Sequence, residues 1–119
     1  MSTITESLEG LLKVDGAMCA ALVDSSSGML LGKAGTGLDL EVAAAGNTEV
    51  VRAKLKTIKS LGLDDTIDDI LITLSSQYHI IRPLRETPEV FLYLVLDSAK
   101  ANLALARIKV KDADSHLEL

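Results

Sequence analysis

Apolar positions along this chain change period several times, and each change predicts an element. Thr3-x-x-Glu6 has the form of a capping box, and Ile4, Leu8, Leu11 and Leu12 recur behind it at helical spacing. That predicts a short first helix stopping near Val14-Asp15-Gly16. Met18 to Val23 is almost unbroken in its apolarity, Asp24-Ser25-Ser26-Ser27-Gly28 is turn-forming, and Met29-Leu30-Leu31 resumes the apolar run, which is the pattern of a hairpin. After Gly35-Thr36-Gly37, Asp39 is placed to cap a long second helix reaching Leu61, with Gly62 available for the left-handed conformation past its end. Ile67 to Ser75 and Tyr78 to Leu84 read as a second hairpin, with Pro83 limiting how far its second strand can pair. Val90 to Leu96 shows hardly any alternation, which predicts a strand covered on both faces, and so helices on both sides of the sheet. Asp97 or Ser98 would cap a last helix with Ala99, Leu103 and Ala106 in one stripe, widened by Leu105 and Ile108.

The order is helix, strand, strand, helix, strand, strand, strand, helix. It predicts an α/β fold in which a five-stranded, mainly antiparallel sheet is flanked by helices. With 119 residues the chain suits one core rather than two. Residues 1–112 are expected to form that single domain and residues 113–119 a polar tail that frays.

The second helix is too apolar for one contact. On a helical wheel Glu41, Glu49, Arg52, Lys56 and Lys59 hold the charged side, and roughly 220 degrees remain without strong charge apart from Lys54. Leu40, Ala44, Val51, Leu55 and Ile58 make a stripe of larger residues suited to the chain's own sheet. Val42, Gly46, Val50, Ala53 and Thr57 make a second stripe, small enough for another helix to approach closely. Leaving that stripe wet forgoes burial worth about 1.5 to 3 kcal/mol for each larger side chain. A second copy of the same helix is the simplest cover, because a two-fold interface is self-complementary. The first or last helix covering both stripes within one chain is the competing expectation.

Composition narrows the functional classes. Apolar residues are 48% of the chain and aromatics 3%, which implies an ordered, aliphatic core. A formal net charge of -5 argues against a nucleic-acid partner. Cys19 is the single cysteine, so no internal disulfide forms and a reducing, cytoplasmic setting is expected. The longest apolar run is far too short to cross a bilayer, and the N-terminus lacks the basic and apolar regions of an export signal, so no membrane insertion is expected.

Candidate chemistry is sparse. No glycine-rich loop ends in Lys-Ser or Lys-Thr, so the chain is not itself a P-loop GTPase. His79 and His116 lack ligand spacing for zinc, Cys19 lies in an apolar strand where a thiol is inert, and Asp64, Asp65, Asp68 and Asp69 lack the loop glycine that calcium needs. Neither metal nor cofactor is expected. Arg52, Lys56 and Lys59 fall on one helical line, either as a solvated face or as cations steering an acidic partner. Tyr78, Arg82 and Arg85 flank the second hairpin and are weaker candidates for such contacts.

Leu8-x-x-Leu11-Leu12 with Val14-x-Gly16, Ala21-Leu22-Val23-Asp24 ending in Ser27-Gly28, and Asn102-Leu103-x-Leu105-Ala106-Arg107, taken in this element order, resemble the roadblock/dynein light chain family, bacterial type. The resemblance spans nearly the whole chain. It implies a sandwich shaped like profilin and longin domains that dimerises by joining sheets edge to edge and setting the two long helices side by side. On that basis Val42, Ala43, Gly46, Val50, Ala53 and Thr57 would form the helical part of the interface, with Ile70 and Ile72 on the pairing edge strand. Family members in bacteria regulate small Ras-like GTPases, including activation of a polarity GTPase, and eukaryotic members serve as dynein light chains or lysosomal scaffolds.

The resulting expectation is a non-enzymatic homodimeric regulator. It would receive a small Ras-like GTPase across its paired helices, with Arg52, Lys56 and Lys59 as partner-binding residues, and would modulate that partner's nucleotide state. The alternatives are a structural adaptor without effect on hydrolysis and, less favoured, a small-molecule sensor using the sheet concavity.

Overall fold

A computed structural model describes residues 2–119. Its elements are α1 (Ile4–Leu11), β1 (Ala17–Asp24), β2 (Met29–Gly35), α2 (Leu40–Ser60), β3 (Ile70–Thr73), β4 (Gln77–Pro83), β5 (Val90–Asp97) and α3 (Leu103–His116). The strands form one five-stranded sheet in the order β2-β1-β5-β4-β3, and every pairing is antiparallel. The predicted element order and sheet class are those observed.

The sheet is covered on both faces. Residues 90–96 of β5 are all buried, because this strand lies between β1 and β4 with helices above and below. On one face Leu8 and Leu11 of α1 and Ala106 and Val110 of α3 pack over Ala20, Leu22, Ile80, Leu92 and Leu94. On the other, Leu40, Ala44 and Val51 of α2 pack over Cys19, Ala21, Val23, Phe91 and Tyr93. The small Ala20 and Ala21 sit on opposite faces of β1, so the strand admits a close layer on each side.

Local signals set most boundaries. The Thr3 hydroxyl accepts from the Glu6 amide at 3.1 Å and the Glu6 carboxylate accepts from the Thr3 amide at 3.1 Å, the reciprocal bonds of a capping box. Asp39 caps α2 by accepting from the Val42 amide at 3.2 Å, and Gly62 follows the helix with φ +69.

Four expectations differ from what forms. α1 ends at Leu11, with a turn from 12 to 16. Gly16, at φ +83, serves the turn and the packing of the 97–101 segment: a Cβ there would meet the Ala101 nitrogen and the Asp97 oxygen at 2.9 Å. β3 is limited to Ile70–Thr73 because the chain before it is held by side chains. The Asp68 carbonyl accepts from Arg82 Nη1 at 3.0 Å and the Asp69 carboxylate from Arg107 Nε at 2.9 Å. α3 is capped by Asn102, which accepts from the Leu105 amide at 3.1 Å; Asp97 accepts instead from the Ala99 amide at 3.0 Å, closing a turn that keeps Ala99 out of the helix. The inward stripe of α3 is consequently Leu103, Ala106, Val110 and Ala113, while Ile108 is 62% exposed.

The fourth difference is the polar ending. The helix continues past Lys111 to His116, and Leu117 then bridges Ser2, whose amide donates to the His116 carbonyl at 2.8 Å. Asp114 explains the ordering: its carboxylate accepts from Arg82 Nε at 2.8 Å and from the Arg85 amide at 3.1 Å. Both side chains of the Arg82–Asp114 pair are almost completely enclosed, at 6% and 7% exposure. Removing one member of such a pair strands the other charge without solvent. Asp114→Ala is therefore expected to destabilise the protein by about 3 to 5 kcal/mol, read as a lower urea midpoint with little change in slope.

Candidate functional site

Among the described residues α2 alone covers the second face of the sheet, and it is also the element with surface to spare. The sheet-facing side of α2 is built from Leu40, Ala44, Thr48 and Val51, all buried, with Leu55 and Ile58 half-buried. Thr48 belongs to this side because its hydroxyl donates to the Ala44 carbonyl at 2.7 Å, so its polar atom needs no water. The second stripe stays uncovered. Val42 is 68% and Val50 37% exposed, and Gly46, Ala53 and Thr57 are exposed with them, while Ala43 is half-buried. Neither α1 nor α3 reaches these residues, since both helices pack on the opposite face of the sheet.

Gly46 has no role inside the protomer. A Cβ added there meets nothing within 4 Å. A glycine in a helix interior costs about 1 kcal/mol relative to alanine, and no contact of the described residues offsets it.

Beside the stripe runs a groove of about 390 Å³ lined by Leu38, Asp39, Val42, Ala43, Gly46, Asn47, His79 and Tyr93. His79 of β4 stands opposite Ile72 of β3, so the groove opens onto the outer strand of the sheet. Ile70 and Ile72 point into the same layer as α2 and are only half-buried. The exposed stripe, the groove and the β3 edge are thus one continuous surface. Arg52, Lys56 and Lys59 lie elsewhere, on the flank of α2 turned away from the groove; all three are exposed and none forms an ion pair among the described residues.

From His79 and Tyr93 of the groove lining runs a polar chain that sequence reasoning missed. The Tyr93 hydroxyl lies 2.9 Å from His79 Nδ1, His79 Nε2 lies 2.9 Å from Gln77 Oε1, and Gln77 Nε2 donates to Met18 Sδ at 3.8 Å. The two rings meet edge to face, with centroids 5.5 Å apart. Burial holds the His79 imidazole below its ordinary value and pushes the Tyr93 phenol up, the latter partly offset by Asn47 on α2. One signal was available: a tyrosine in an aliphatic, fully buried strand must find a partner for its hydroxyl. Which partner depends on the register of β4 against β5, a tertiary fact.

Other candidates have ordinary roles. Arg82 is buried against Asp114, and Arg85 donates to Asp68 at 2.9 Å and Thr66 at 3.2 Å, so neither stands free for a partner. Asp68 and Asp69 are the acceptors of Arg85 and Arg107, which gives part of the acidic run an internal purpose. Cys19 is buried, and its thiol is pushed up by burial. Among the described residues no group of His, Cys, Asp and Glu is arranged to hold a metal ion, and no helix is long and apolar enough to cross a membrane.

No family model and no curated protein matches this sequence. Solved structures do. MglB of Myxococcus xanthus superposes with a TM-score of 0.82 at 22% identity, covering 94% of this chain and 89% of that one. A roadblock/LC7 domain from Streptomyces avermitilis gives 0.81 at 14% identity, covering 96% and 93%. A structure of MglB in a tetrameric arrangement gives 0.78 at 23% identity, covering 93% and 82%. The protein therefore has the roadblock-type α/β fold.

The polar chain makes a local prediction. Tyr93→Phe removes the hydrogen bond to His79 Nδ1 and should cost about 1 kcal/mol of stability, read as a lower urea midpoint. Because burial, which this substitution keeps, is what holds the imidazole low, its pKa should stay below the ordinary value in an NMR titration.

Proposed function

We propose that the protein is a homodimeric regulator of a small Ras-like GTPase, closed along the second stripe of α2, the adjoining groove and the β3 edge. The observation that carries this reading is the exposure of Val42, Gly46, Val50, Ala53 and Thr57 on a helix whose other side packs on the sheet. Ile70 and Ile72 extend the same half-covered apolar surface to an outer strand, where unpaired backbone groups invite a second chain. The roadblock-type fold supports it as well, because MglB, one of the proteins sharing it, is known in a tetrameric arrangement. Gly46 fits such an interface: its missing side chain lets a partner helix come near the short end of the roughly 8 to 10 Å interaxial range.

Dimerisation through the groove flank leaves Arg52, Lys56 and Lys59 on the outer flank of each α2, duplicated by symmetry. On a chain of net charge -5 these lines are a local exception, suited to steering an acidic surface of the GTPase. The chain itself contributes no phosphate loop, so the regulator acts through binding energy. It biases nucleotide state only as far as its affinities for the GTP- and GDP-bound partner differ.

Two experiments separate these parts. Sedimentation at micromolar concentration should give a dimer for the native chain and a folded monomer for Val50→Asp; a native monomer sinks the dimer. Gly46→Ala should weaken association while stabilising the Val50→Asp monomer by up to about 1 kcal/mol. With a GTPase recovered from the native extract, Arg52→Glu combined with Lys56→Glu should lower affinity by at least about tenfold at low salt and leave the dimer intact. Equal affinity for both nucleotide states, with unchanged hydrolysis, would make the protein an adaptor instead.

A further inference from the structure

The polar chain that begins at His79 and Tyr93 of the groove lining fixes one tautomer of the neutral imidazole. Gln77 gives its amide hydrogen to Met18 Sδ, which turns Oε1 toward His79 at 2.9 Å. His79 Nε2 must therefore carry the proton, leaving Nδ1 as the acceptor for the Tyr93 hydroxyl at 2.9 Å. A second proton on the ring would reverse the bond to Tyr93, turning the phenol hydrogen away so that its oxygen accepts, and would place a full charge in a half-buried position.

No carboxylate pairs with that charge among the described residues. α2 turns Asn47 and Asp39 toward the groove, and the Asp39 carboxylate is engaged by the Val42 amide at the helix cap. β5 offers the Tyr93 phenol and β1 the Cys19 thiol, while β3 sets Ile72 opposite His79. Asp97, opposite Gln77, accepts from the Ala99 amide. Among the described residues no carboxylate forms a hydrogen bond or ion pair with His79.

The groove is bounded by Val42, Ala43 and Gly46, which belong to the dimer interface proposed above, and a role for His79 in closing that interface rests on that reading. We propose that His79 is a proton-sensitive latch of the homodimer: neutral, it lets the second copy close over the groove, and protonated, it opposes closure. Burial already holds the imidazole below its ordinary value in the single protomer. Closure buries it further, so the dimer takes up this proton less readily than the free protomer. Association is then strongest above the free protomer's His79 pKa and weakens as pH falls from there toward the dimer's lower His79 pKa. Ordinary carboxylates titrate well below this window.

The test measures the dimer dissociation constant by sedimentation between about pH 7.5 and pH 5.5, the range that brackets an imidazole. The native chain should show a rise of about tenfold toward the acid end, with two His79 side chains contributing per dimer. His79→Gln, which can accept from Tyr93 and donate to Gln77 without a charge, should dimerise with no pH response; His116→Asn should respond like the native chain. Independently, NMR titration should give a lower His79 pKa in the dimer than in the Val50→Asp monomer. A dimer whose constant is flat across the range, a His79→Gln variant that still responds, or equal His79 pKa values in the two states overturns the latch and leaves the dimer standing. A native monomer at both ends of the range removes the dimer and the latch together.

Discussion

Coverage of the central strand governs this molecule. β5 is enclosed on both sides over residues 90–96, which requires a helical layer on each face of the sheet, yet the described residues supply two helices to one face and one to the other. Strands stand about 4.8 Å apart, so a five-stranded sheet measures roughly 19 Å between its outer strands, whereas one helix with its side chains is about 10 to 12 Å across. Two helices span such a face and one does not. The shortfall falls at the β3 side of the α2 layer, where Ile70, Ile72 and His79 are half-covered. The sticky flank of α2 and the under-covered edge of the sheet are thus two aspects of one deficit.

That deficit also bears on why the polar chain sits where it does. Deep in the layer, under Val51, the sheet presents Cys19, Phe91 and Val95, without a polar side chain that needs a partner. At the margin the chemistry changes to buried Tyr93 and half-buried His79 and Gln77, which hydrogen-bond one another in a chain beside Asn47. A buried polar group costs little when fully partnered and a great deal when not. A marginal network of this kind would favour one way of closing the groove over others that break its hydrogen bonds. It adds orientation to a surface whose apolar residues are indifferent to register.

Much of the fold was legible because its signals are local. The Thr3–Glu6 box, the Asp39 cap, Gly62 and the unbroken Val90–Leu96 run each depend on residues within a few positions, and all appear in the structure. The failures share the opposite cause. Asp97 and Asn102 are both good helix caps by composition; Asn102 takes the cap, while Asp97 closes a turn with Ala99 in the segment packed against Gly16. The polar ending looked unsupported because Asp114 finds Arg82 across 32 positions. On α2 the division into two stripes followed from helical period alone, but Thr48 was missed on the inner side because its hydroxyl is satisfied by its own helix.

Two separate forces act on the surface of α2, and their ranges differ. Apolar closure along the groove flank is short-ranged and insensitive to salt, whereas the field of Arg52, Lys56 and Lys59 extends about 8 Å at physiological ionic strength. Because these residues occupy different flanks of one helix, a substitution on either flank would reach only one of the two proposed processes. Self-association would consume the apolar flank completely and leave the cations hydrated. A second binding event on the same helix would therefore have to be electrostatic in approach, and the overall negative charge of the chain would discourage acidic partners everywhere except along that line.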